Sequence, residues 1–162
     1  MTVELRSDHP AGAKIAARLR ARGRAHLVAL GRPDAELSVL LTGDRTIRSL
    51  NRRWRGVDRA TDVLSFPLHD PPGSASMLGD VAISVDTAGR RARREGRPLL
   101  AEVDRYLVHG ILHLLGHDHE RPGQARVMAA LEASVLGGAG LVTSAPAAVR
   151  PSARRGRRTK PR

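Results

Sequence analysis

Val108-His109-Gly110-Ile111-Leu112-His113-Leu114-Leu115-Gly116-His117-Asp118-His119-Glu120 holds four of the chain's seven histidines within eleven positions. His109 and His113 stand four apart, and on a helix that spacing stacks both imidazoles on one face, so one rigid element offers a metal two ligands. Gly116 lets the chain leave the helix in a left-handed conformation. His119 then lies past the turn, where it swings back towards the same point. Three neutral imidazoles leave a tetrahedral ion one open position for water or substrate, the arrangement of a catalytic zinc site. A buried helix whose histidines merely satisfy local hydrogen bonds would account for one histidine, but not for three at offsets 0, 4 and 10 with glycine at 7. The expectation is one Zn²⁺ per chain on His109, His113 and His119, with His117 on the turn outside the ligand set.

The segment from Leu99 to Leu115 is largely apolar and reads as the central helix of the fold, stopped by Gly116. Val3 and Leu5 alternate with polar neighbours as a short strand, and Ala11 to Leu30 spaces Ile15, Leu19, Leu27 and Leu30 along one helical face. Glu36 to Thr42 is a second strand, after which Asp44 is placed to cap a helix through Ile47, Leu50 and Trp54. Asp62 to Phe66 and Leu78 to Ser84 read as two more strands, joined by a Pro/Gly/Ser-rich loop from His69 to Ser76. Asp86 is placed to cap a helix through Arg94, and Pro122 opens a last helix with Val127, Met128, Leu131, Val135 and Leu136 on its apolar side. Four short strands among about five helices predict a single α+β domain with a small mixed four-stranded sheet, spanning residues 1–136. From Gly137 to Arg162 the chain is Gly/Ala/Pro-rich and then Arg-rich, which predicts a disordered tail.

Composition narrows the chemistry further. Among 162 residues there is no cysteine, so disulfides, thiolate nucleophiles and Cys-based metal sites are excluded. The net charge is +12, and Lys14 and Lys160 are the only lysines. Arginine suits planar, bidentate contacts to phosphate, which favours a nucleic-acid partner. Seven positive charges fall in the last 13 residues, leaving +5 for residues 1–149. That tail reads either as a non-specific RNA-binding arm or as a solubilising extension. No run of about 18 apolar residues and no apolar leader is present, so a soluble cytoplasmic protein without a membrane partner is expected.

The histidine spacing is that of the metzincin peptidases, H-E-x-x-H-x-x-G-x-x-H, except that Gly110 stands where their general base, Glu, would be. This argues against peptide hydrolysis and suggests that the glycine clears charge and bulk from beside the open metal position, where a phosphodiester would approach. The whole stretch His109 to His119 resembles the H-G-x-L-H-L-x-G-[YH]-D-H signature of the YbeY family of metal-dependent endoribonucleases. Leu50 to Pro67 (LNRRWRGVDRATDVLSFP) resembles that family's L-N-x-x-[YF]-R-x-x-[DN]-x-[PA]-T-D-V-L-S-F-P segment, and Leu78 to Ser84 resembles its L-G-D-I-x-I-[CS] strand. The likeness spans residues 36–136.

The resemblance implies a zinc-dependent endoribonuclease cutting single-stranded RNA, with the ribosomal small subunit and its RNA as partners, in 16S rRNA 3′-end maturation and ribosome quality control. It places metal ligands at His109, His113 and His119 and the substrate-handling arginine at Arg55. Without a side-chain base after His109, either the zinc lowers the pKa of its own water or it binds the phosphate while another group activates the nucleophile, and the first route is favoured. A metzincin-like peptidase and a ribosome-associated RNA-binding protein with a structural metal are the alternatives. Six arginines between Arg45 and Arg59 read mostly as a solvated helical face, as do Arg90, Arg91, Arg93, Arg94 and Arg97. Arg55 differs because it precedes Gly56 at a helix exit, where a guanidinium can grip a phosphate. Thr61 and Asp62 read either as a turn cap or as residues near the site. Asp118 either orients an imidazole or caps the turn, Asp80 is a candidate partner of the histidine helix, and Glu132 a solvent-facing residue.

Overall fold

A computed structural model describes residues 2–68 and 77–138. The elements run β1 (Thr2–Ser7), α1 (Pro10–Ala29), β2 (Glu36–Thr42), α2 (Asp44–Arg55), β3 (Val63–Pro67), β4 (Met77–Ser84), α3 (Val85–Arg94), α4 (Leu99–Leu114) and α5 (Pro122–Leu136). These are the four strands and five helices that the hydrophobic periodicity predicts, with ends shifted by a residue or two. The proposed loop from His69 to Ser76 and the Arg-rich end of the tail lie outside the described residues.

The strands form one sheet in the order β1-β2-β4-β3. β1 pairs parallel with β2 and β2 with β4, whereas β3 runs antiparallel to β4 at the sheet edge. Alternation along β4 sends its side chains to two cores. Val81 and Ile83 join the larger one with Leu19 and Leu27 of α1, Leu107 and Ile111 of α4, and Met128 and Leu131 of α5. Ala82 faces the other way and packs with Leu64 and with Ile47 of α2. Burying a branched aliphatic side chain is worth about 1.5–3 kcal/mol, so a core with almost no aromatics is built from many such increments.

Two charge clusters hold α4 in place. Asp104, 2% exposed, accepts from His26 Nε2 at 2.7 Å and from Arg22 Nη1 at 2.9 Å, tying α4 to α1. Glu102, fully buried, faces Arg91 of α3 and Arg97, each at 3.3 Å. Pairing of this kind is what allows a carboxylate to remain in a helix interior.

The helix starts depart from the expected capping. Asp44 and Asp86 do not cap their own helices: α2 starts at Gly43 with no side-chain cap, and α3 is capped by Ser84, whose Oγ accepts from the Thr87 N–H. The two carboxylates are drawn to tertiary partners instead, because three helix starts and the carboxyl ends of β2 and β4 meet there.

Candidate metal centre

α4 ends in a Schellman turn: Gly116, at φ 89°, donates its N–H to the His113 carbonyl, and His117 donates to that of Leu112. The turn redirects the chain so that His119 comes back over the end of the helix. The ligand nitrogens of His109, His113 and His119 lie within 4.8 Å of one another, close to the span of two metal–nitrogen bonds of about 2.0–2.1 Å. The Nε2 atoms of His109 and His113 are 3.1 Å apart.

Protonation chemistry favours the same arrangement. Glu132 of α5 accepts from Nδ1 of His109, which fixes the proton on that nitrogen and turns the lone pair of Nε2 towards His113. Burial lowers the pKa of His113, and the neighbouring imidazoles of His109 and His119 lower it further. His113 is therefore held in the neutral form that a metal requires. Burial also lowers that of His117, which borders the cleft but stands outside the cluster of three.

The cluster opens into a cleft of about 830 Å³ between α4 and the edge strand β3. Val63 and Ser65 form its strand side, Arg55 borders it from the end of α2, and Thr61 and Asp62 from the loop that follows. Left-handed Gly56, φ 70°, ends α2 immediately after Arg55. Asn51, 5% exposed, donates to the Arg59 carbonyl at 2.9 Å and so pins the loop that follows. Arg55 has no ion-pair partner among the described residues, in contrast to Arg48, which is held by Asp58 at 2.9 Å. Sequence reading singled out Arg55, and it borders the same cleft as the histidines.

A family model described as Endoribonuclease YbeY matches residues 16–140. The chain belongs to this family. Endoribonuclease YbeY of Anaeromyxobacter sp. (strain Fw109-5) is 64% identical over 145 residues, covering 90% of this chain and 76% of that relative. Endoribonuclease YbeY of Anaeromyxobacter dehalogenans (strain 2CP-C) is 62% identical over 157 residues, covering 97% and 80%. The solution structure of TM1509 from Thermotoga maritima is similar with a TM-score of 0.55 at 26% identity, over 83% of this chain and 89% of that one.

Within this YbeY frame three sequence readings change, those of Glu132, Asp80 and Gly110, and the alternatives left for Asp118 and Asp62 are decided. Glu132 does not simply face solvent but holds His109. Its one sequence signal is that it is the sole acid of α5, four residues after buried Met128. Asp80 is not a partner of the histidine helix, because it points to the α2 side of the sheet, opposite Val81. Asp118 accepts from the backbone N–H groups of His119 and Glu120 and shapes the turn that carries His119. Gly110 packs against the sheet: an added Cβ would lie 2.8 Å from Val81 Cγ1 and 3.2 Å from Ser65 Oγ. The glycine is there for close approach of α4 to β4 and β3, rather than for clearance at the open metal position. Asp62 is both turn and site, accepting from the Val63 N–H at 2.8 Å while bordering the cleft.

Proposed function

We propose that this chain is a metal-dependent endoribonuclease that hydrolyses phosphodiester bonds in single-stranded RNA. The observation that carries the proposal is the convergence on one cleft of three imidazoles and Arg55, which has no ion-pair partner among the described residues, in a chain 64% identical to a protein named Endoribonuclease YbeY. His109, His113 and His119 hold the metal, and zinc suits this all-nitrogen donor set. When bound, such an ion supplies Lewis acidity and lowers the pKa of a coordinated water towards about 7.

The remaining chemistry belongs to the chain. Glu132 keeps the Nδ1 proton on His109 and fixes the ring's direction. Arg55 binds a non-bridging phosphate oxygen through its guanidinium and stabilises the charge that develops on phosphorus. Arg55 on the border of the cleft suits a phosphate of the strand. Cytoplasmic 16S rRNA, with 3′-end maturation and ribosome quality control, is the context proposed for this activity, and the basic tail adds sequence-independent RNA contacts.

The test is cleavage of matched single-stranded and duplex RNAs by purified protein, with chelator and with metal restored. Metal-restored cutting of the single strand is expected. Undiminished cutting by chelated, metal-free protein would overturn the reading.

A further inference from the structure

Trp54 is the chain's only tryptophan, and the residue is 62% exposed. An indole left in water on the last turn of a helix loses the burial that normally stabilises it. Its surroundings are organised. The Arg53 guanidinium lies 5.4 Å from the ring centroid, and Phe66 of β3 meets the ring edge-on at 6.2 Å. The next residue in the chain, Arg55, borders the metal cleft. Trp54 and Phe66 also wall an apolar groove of about 470 Å³ on the neighbouring side of β3, with Leu68 half exposed beside them.

We infer that Trp54 is a stacking platform for an unpaired RNA base, so that the strand whose phosphate is gripped by Arg55 lays a neighbouring base on the indole. The inference rests on the endoribonuclease reading given above. Aromatic rings accept any base because every base has a π-face, and adjacent arginines add charge attraction and cation–π contact. Both requirements are met here by consecutive residues: Arg53 at the ring, Trp54 as the surface, Arg55 at the cleft. An apolar protein segment would use the groove but would gain nothing from the Arg53 guanidinium at the ring or from Arg55 at the cleft. A base attached to a phosphodiester uses all three side chains at once.

Because there is one tryptophan, its fluorescence reports this contact directly. Titration with a short single-stranded oligoribonucleotide, in metal-free protein to prevent cleavage, should quench the Trp54 emission saturably. Inorganic polyphosphate, which has charge but no bases, should not. Trp54→Ala should weaken oligoribonucleotide binding by about 5- to 150-fold, the range of one lost base stack, while Trp54→Phe should retain most of it. Binding of labelled RNA that is unaffected by Trp54→Ala and leaves the native emission unchanged would overturn the platform while the endoribonuclease reading stands. Failure of the native protein to bind or cut any RNA would remove both. Quenching by polyphosphate equal to that by RNA would likewise overturn the stacking claim.

Discussion

Asp86, in the first turn of α3, accepts the backbone N–H of Asp44 at 2.8 Å, while Asp44, at the start of α2, accepts from Ser84 Oγ at 2.6 Å and Thr87 Oγ1 at 2.8 Å. Each carboxylate therefore serves the other's helix. His9 joins them: its Nδ1 accepts from the Ala11 N–H at the start of α1, so its Nε2 proton is directed to Asp86 at 3.0 Å. The starts of α1, α2 and α3 are locked together through these side chains.

The lock predicts acid sensitivity. Burial alone would raise the Asp44 carboxyl, but hydrogen bonds from Ser84, Thr87 and Arg90 outweigh it and hold its pKa below the ordinary 3.8. The backbone N–H of Asp44, followed by His9, lowers that of Asp86. A carboxyl depressed in the folded state stabilises fully above its unfolded value, and that stabilisation is lost as pH falls through the folded value. His113 and His117, whose pKa values are lowered in the folded state, make the urea midpoint fall as pH drops below about 6.5, and the two carboxylates add a further decline below about pH 4. Asp44→Asn with Asp86→Asn should flatten that decline. An unchanged acid profile in the double variant would remove the carboxylates as its cause.

Metal stoichiometry tests the histidine assignment. Native protein should hold one zinc per chain, and His109→Ala, His113→Ala and His119→Ala should each abolish stoichiometric binding. His117→Ala should retain it. Glu132→Gln should lower affinity by about 10- to 100-fold, the usual effect of a lost carboxylate behind a ligand histidine. Tight stoichiometric zinc in the His113→Ala protein would refute the ligand set.

Arg55→Ala should slow RNA cleavage by about 10²–10³-fold, as removal of one charge-stabilising donor does, with metal content unchanged. Arg52→Ala, on the same helix, serves as the comparison at identical salt. Equal small losses in both proteins would reduce Arg55 to general electrostatics.

Gly110→Ala tests packing. Val81 is buried and stiff at its Cβ branch, so the new methyl has no flexible neighbour to displace. The substitution should cost about 1–3 kcal/mol in chemical denaturation, exceeding the helix-propensity gain of about 1 kcal/mol. A stabilised variant would show that α4 has room to move off the sheet.

The elements and the histidine cluster were legible because both are local patterns: periodicity within each segment, and a ligand spacing contained in eleven residues. Glu132 was not, because its bond to His109 crosses 23 positions and only the docking of α5 on α4 creates it. The exchange between Asp44 and Asp86 was hidden for the same reason. An acid in the first turn of a helix is a local capping signal, and nothing within either segment reports that the other's backbone is nearer. Asp80 was assigned to the histidine helix although strand alternation already places it opposite Val81 and Ile83, which belong to the core beneath α4.

Two of the three clustered histidines sit on a rigid helix, whereas His119 rides on the irregular stretch between Gly116 and Pro122. Metal held by these histidines would therefore do more than prepare chemistry, because it would pin the connection between α4 and α5. By mass action, a ligand at 100 times its dissociation constant adds about 2.7 kcal/mol to folding stability. Resistance to proteolysis between residues 117 and 121 then becomes a gauge of metal supply, with the starved protein nicked there before its core opens.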